Sequence, residues 1–256
     1  MPEPRTKLVG RAGVSAADCM RIFPRKDKES GSAYAYRVLS YNILMLYMPP
    51  GAWIRESSVA EILEVSRTPV HEAMGLLRDR SLVEVAPQSA THVSRISVSQ
   101  LRQSFYMRVA VEPLVVTQLA RVITQPTLDE LHRLVDAMDE SLAIPYNEAK
   151  YIELNEEFHR TAYEAAAKGY VWESLQKTGC SFRRCCNMGV LFGYTKPSTE
   201  PFRKVLGFLE NGGENRVEVA AAIHEYLSNY ATYIEQLISD FPDCFVNVNT
   251  TASTRR

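Results

Sequence analysis

The chain has 256 residues, a formal net charge of −1, 46% hydrophobic residues and 23% charged residues. This is ordinary globular composition, long enough for one large or two ordinary domains, and it excludes disorder over most of the length. The near-neutral total supplies no bulk attraction for nucleic acid or an anionic membrane. The longest apolar run near the front, Ile43 to Met48, falls far short of the ~18 residues that a spanning helix needs. The five cysteines, Cys19, Cys180, Cys185, Cys186 and Cys244, form no C-x-x-C pair, which excludes a zinc ribbon and a thioredoxin-type motif. Adjacent Cys185 and Cys186 read as buried structural thiols. A soluble, cytoplasmic protein without a membrane partner is expected.

In chain order, residues 1–32 read as a mobile arm: they carry Pro2, Pro4 and Pro24, charges of both signs and no helical period. Val38, Leu39, Ile43 and Leu46 then form an apolar stripe that predicts a helix over Tyr34–Leu46, stopped by Pro49-Pro50-Gly51. A short helix over Ser57–Leu63 follows, with Ser57 as its N-cap. A second begins at Arg67 and runs to Arg80. Its Pro69 suits a first turn, where a missing N–H costs nothing, and Val70, Met74 and Leu77 supply its buried face. Leu82–Val85 and His92–Ser94 alternate as two strands of a hairpin. Three helices and a hairpin within residues 33–95 make a winged helix-turn-helix plan.

Beyond a short linker at Ile96–Ser99 the pattern is helical only. Helices are predicted near residues 99–123, 127–142, 147–168, 171–192, 199–211 and 214–240, punctuated by Pro126, Pro145, Gly169, Pro197 and Gly212-Gly213. The fold class is therefore mainly α: an N-terminal winged helix-turn-helix joined to an all-helical bundle of about six helices over residues 99–240, with residues 241–256 as a tail.

The start of the second helix, Val65-Ser66-Arg67-Thr68-Pro69-Val70-His71, has the chemistry of a DNA-reading end. Arg67 can fork onto a guanine edge. The hydroxyls of Ser66 and Thr68 and the free N–H groups of the helix start can hold phosphate, and Arg55 sits where it reaches the backbone. The stretch from Pro50-Gly51 through Arg55-Glu56-Ser57, Val59-Ala60-Glu61, Ser66-Arg67-Thr68-Pro69-Val70 and Glu72-Ala73 to Leu82-Val83-Glu84-Val85 resembles the N-terminal domain of GntR-family bacterial transcription regulators. The helical remainder resembles the ligand-binding domain of the FadR-like branch, often called FCD, through Arg108-x-x-x-Glu112 and Phe158-His159. The resemblance implies a homodimeric regulator of double-stranded operator DNA, most often a repressor. Two departures stand out: His71 replaces the usual arginine, and Ser89-Ala90 replaces the usual Arg-Gly of the wing. The expected DNA contacts are Arg55, Ser66, Arg67, Thr68 and His71, with Gln88, Ser89 and His92 from the wing.

The same resemblance implies an effector pocket, in which many relatives hold a divalent metal through an aspartate and three histidines. Here those positions fall on Asn155, His159, Phe202 and Tyr226. An amide brings no charge to a transition metal and phenylalanine brings no donor, so no metal or other cofactor is expected. Arg108 lies on a helix rich in Val and Leu, and a partly buried guanidinium needs an anion. The expected effector is a small organic acid whose carboxylate lies on Arg108, helped by Asn155, His159, Phe202 and Tyr226. Tyr226, Tyr230 and Tyr233 read as one packing face.

Two competing readings were weighed. Glu156-x-x-His159 has the spacing of a di-iron carboxylate motif and points to a redox enzyme. However, its only candidate mate, Asp129-x-x-His132, lacks further matching glutamates, and that reading leaves the Ser-Arg-Thr-Pro-Val stretch unexplained. A non-DNA-binding adaptor is the other. The net charge also divides: residues 1–95 carry 13 Lys and Arg against 10 Asp and Glu, and residues 96–256 carry 16 against 20. A mildly basic front half is what a DNA reader needs.

Overall fold

A computed structural model describes residues 20–85, 91–143, 145–212 and 215–248. The chain folds into two compact units. The first comprises the chain up to Leu101, Cys180–Met188, and the chain from Gln236 on. The second comprises Arg102–Gly179 and Gly189–Glu235.

The first unit begins with α1 (Gly31–Leu44). It starts three residues before its apolar stripe because the Ser30 hydroxyl accepts from the Ala33 N–H at 3.1 Å and so caps the helix. The described part of the expected arm, Arg21 to Glu29, is tied to α1. Glu29 pairs with Arg37 at 2.7 Å, and the Asn42 side chain accepts from Arg21 N and donates to Arg21 O. The helix-turn-helix is α2 (Glu56–Ile62) followed by α3 (Arg67–Asp79). The N-cap of α2 is Arg55, without a side-chain cap bond, so Ser57 lies inside the helix and does not cap it. Val38, Leu39, Ile43, Val59, Val70 and Leu77 are fully buried together in this unit's core. Ser81 ends the α3 region in the left-handed conformation, at φ 54°.

The wing is a three-stranded antiparallel sheet, where the sequence indicated only a hairpin. Beside β2 (Val83–Val85) and β3 (Thr91–Val93) lies β1 (Trp53–Ile54), with Trp53 opposite His92 and the order β1-β3-β2. Ile96 and Ser97, read from sequence as linker, form β4, parallel to β5 (Phe245–Val246). Neither β1 nor β5 has a local pattern to betray it, since each has two residues and a partner far along the chain.

The second unit is helical among its described residues. It holds α4 (Val98–Leu119) from Arg102 on, α5 (Gln125–Leu142), α6 (Glu148–Ala165) and α7 (Gly169–Thr178). After α8 (Cys180–Leu191), whose first nine residues belong to the first unit, come α9 (Glu200–Glu210) and α10 (Arg216–Ser228). The run expected as one helix over 171–192 is two, divided at Gly179, where an added Cβ would lie 2.6 Å from the Leu175 carbonyl oxygen. The run expected over 214–240 is also interrupted: a 3₁₀ turn (Asn229–Thr232) separates α10 from α11 (Ile234–Asp240). That break takes the three tyrosines off one face. Tyr226 stays with the buried aromatics of α6 and α9, Tyr230 meets Phe105 at 5.4 Å, and Tyr233 is buried over Gly189.

Candidate functional site

The start of α3 is open to solvent. Ser66, Arg67 and Thr68 are all exposed, and so is Arg55 ahead of α2. Ser66 takes the N-cap position, yet its hydroxyl makes no cap bond and no acid occupies the first turn. Hydroxyls, main-chain N–H groups and the guanidinium of Arg67 thus stand together at the positive end of a helix dipole, a suitable place for phosphate and base edges. His71 is exposed one turn on, but its Nδ1 lies 3.2 Å from the Glu56 carboxylate. His92 packs its ring on Trp53 at 3.9 Å between centroids, with Nδ1 3.4 Å from the Gly51 carbonyl oxygen. These two are engaged within the protein, unlike Arg67. Gln88, Ser89 and Ala90 lie outside the described residues.

The second unit contains a mostly apolar cavity of about 30 Å³, measured as space open to the centre of a water molecule. Glu112, Val115 and Val116 of α4, Phe158, His159 and Tyr163 of α6, Phe202 of α9 and Ile223 and Tyr226 of α10 all line it. Four of the five expected effector residues meet here: His159 stacks on Tyr226 at 6.1 Å, Phe202 meets both rings, and the Asn155 amide donates to the Tyr226 hydroxyl at 3.0 Å. Arg108, the fifth, lies behind the wall. Its Nε donates to Glu112 Oε1 at 2.5 Å and one Nη lies 3.5 Å from His159 Nε2. Glu112, one helical turn on, therefore already supplies the anion that the guanidinium was expected to find in a ligand.

Burial pushes the Glu112 carboxyl up and Arg108 pulls it down. A guanidinium does not give up its proton in a protein, so the two stay an ion pair. Burial and the same Arg108 charge push His159 well below the usual histidine value. It is a neutral imidazole, and its Nε2 accepts. Burial also raises the Tyr163 phenol, which keeps its proton.

Sequence reasoning passed over Tyr163 and Trp172. Tyr163 is 2% exposed and lines the cavity, yet its hydroxyl has no hydrogen-bond partner. Trp172 stacks on His159 at 5.8 Å and tilts against Tyr163 at 5.3 Å. An aromatic at helical spacing reads as packing, and only the missing partner of Tyr163 sets it apart. His224 lies at Phe105 and Ser228 and does not line the cavity.

The donors do not fit a divalent metal. One neutral imidazole faces a phenylalanine, and the remaining amide and phenol are bonded to each other. Among the described residues no three His, Cys, Asp or Glu side chains group as a metal site. Of the alternative redox motif, His132 bonds Glu210 at 2.8 Å.

Comparison with known proteins gives two family matches. Residues 32–93 match the bacterial regulatory proteins of the gntR family, and residues 103–226 match the FCD domain. The chain is 26% identical over 211 residues to the HTH-type transcriptional repressor RspR of Escherichia coli K12, covering 80% of this chain and 91% of that protein. It is 23% identical over 168 residues to the gluconate operon transcriptional repressor of Bacillus subtilis, covering 63% and 68%. Among solved structures, E. coli McbR/YncC shares the fold with a TM-score of 0.69 at 19% identity, over 81% of this chain and 98% of that one. A GntR regulator from Rhodococcus sp. RHA1 does so with a TM-score of 0.65 at 18% identity, over 80% and 97%.

Proposed function

The chain belongs to the GntR family of bacterial regulatory proteins and carries an FCD domain, and from that premise we propose that it is a ligand-responsive repressor, not an enzyme, that binds operator DNA in the cytoplasm as a homodimer. The observation that carries this reading is the exposed start of α3, where Ser66, Arg67 and Thr68 stand free of acidic neighbours in the first turn. Arg67 reads a base edge, while Arg55, Ser66 and Thr68 hold the backbone. His71 and His92 contribute less, being held by Glu56 and Trp53. Gln88 and Ser89 are kept as wing contacts on the resemblance alone.

The sign, repression, is supported by relatives named as repressors. Dimerisation is supported by an apolar stripe on α4, where Tyr106 is 75% and Leu114 64% exposed on either side of exposed Ala110. The effector is a small organic molecule in the cavity bounded by His159, Phe202 and Tyr226, with Asn155 fixing Tyr226 and Arg108 fixing Glu112. A carboxylate on Arg108 would have to displace Glu112, so the reading keeps the organic effector without its acid group.

A gel shift with DNA from upstream of the protein's own gene tests the assignment. The wild-type chain retards it, and Arg67→Ala weakens binding by about ten-fold or more, as expected for a lost bidentate base contact. An Arg67→Ala protein with full affinity would overturn the DNA-reading assignment.

A further inference from the structure

We infer that the cavity between α4, α6, α9 and α10 takes an uncharged organic ligand with an aromatic or otherwise apolar body and one hydrogen-bond acceptor, which Tyr163 engages. This rests on the reading of the cavity as the effector site and narrows the ligand to a chemical class.

Three observations carry it. The first is the charge balance. Arg108 and Glu112 cancel each other at 2.5 Å, and His159 beside them is neutral, so the wall presents no net charge. A carboxylate would bring an uncompensated charge up to Glu112 in a mostly apolar enclosure, which is strongly disfavoured. A cation would leave the site with a net positive charge instead.

The second is the nature of the walls. Phe158 and Phe202 meet edge to face at 5.1 Å, and Phe202 meets Tyr226 at 5.4 Å. Such surfaces favour rings and alkyl groups.

The third is Tyr163. Buried hydroxyls nearly always find a partner, yet this one has none and faces the cavity wall. Its proton is retained, so a ligand carbonyl or ether oxygen would satisfy it. The Glu112 carboxylate in the same wall suits a ligand N–H or O–H.

The test uses the full-length protein and calorimetric titration with three probes of one shape: benzamide, benzoate and toluene. Benzamide should bind at least about ten-fold more tightly than benzoate, given the cost of an unpaired buried charge. Tyr163→Phe should weaken benzamide several-fold, as for one lost hydrogen bond, and leave toluene unchanged. The substitution removes only the unpartnered oxygen, so the variant should fold. Benzoate binding as tightly as benzamide, or with uptake of a proton by Glu112, would overturn the uncharged class while leaving the cavity as the effector site. An unchanged benzamide affinity in Tyr163→Phe would overturn the role of that hydroxyl. Failure of all three probes would remove the cavity as effector site altogether, and the gel shift would still judge DNA binding separately.

Discussion

Arg184 donates from Nη1 to the main-chain oxygen of Ser94 at 2.6 Å, across ninety residues of chain. Its other Nη reaches the Ser94 hydroxyl at 3.1 Å and the Arg95 carbonyl oxygen at 3.3 Å. The guanidinium is fully buried, no carboxylate bonds it, and its Nε is left without a partner. Burial pulls its pKa down to about 10. A buried cation held by carbonyl oxygens is costly to place and costly to remove, because removal strands its acceptors. Arg184→Met, similar in length, should destabilise the protein by roughly 2–4 kcal/mol, from bonds to a charged group and newly unsatisfied acceptors. Urea unfolding measures it, and a change within error would mean the carbonyls find other partners.

Tyr163→Phe should behave in the opposite sense. The hydroxyl it deletes is buried and unbonded, and such a group carries a desolvation penalty of about 1–3 kcal/mol. Thermal unfolding of the ligand-free variant should therefore show equal or greater stability. A clear loss would show that the hydroxyl has a partner in solution.

Acid sensitivity should trace in part to His159. Its folded pKa is pushed well below 6.5 by burial and by Arg108. The unfolded chain thus takes up a proton below pH 6.5 that the folded chain refuses. Stability is full above pH 6.5 and falls as the pH drops below it. His159→Gln should flatten that fall, seen by comparing urea midpoints on either side of pH 6.5. Identical acid losses in both proteins would count against it.

Gly189 sits where no side chain fits: an added Cβ would lie 2.5 Å from the Tyr233 ring. Both are buried in the second unit's packing, so the ring has to move. Gly189→Ala should cost about 1–3 kcal/mol through overpacking. The double variant with Tyr233→Leu should recover part of that loss in a denaturation cycle, and purely additive losses would argue against the contact.

Most of the DNA-reading face was legible because its signal is local. Pro69 at a helix start, the hydroxyls around Arg67 and the alternating strands lie within thirty residues of one another. The cavity was legible only in part. Asn155, His159, Phe202 and Tyr226 were brought together through the family resemblance, and the structure places them around one space. Arg108 and Glu112 were noted as an i,i+4 pair, but nothing in their spacing told whether the carboxylate or a ligand would hold the guanidinium. Arg184 looked like any basic residue on a helix beside Arg183. Its burial depends on Ser94, ninety positions away, and no period in the sequence encodes such a meeting. The same holds for Trp53 against His92.

The pairing of Ile96–Ser97 with Phe245–Val246 bears on how the protein is made. The ribosome delivers the helix-turn-helix early, but the strand that lies beside β4 emerges almost 150 residues later, and Arg184 midway between. The unit that reads DNA therefore waits, incomplete, while the second unit's helices are synthesised. A fragment cut at the end of the wing would lack both Arg184 and the β5 strand, and would be a poorer measure of DNA affinity than the whole chain.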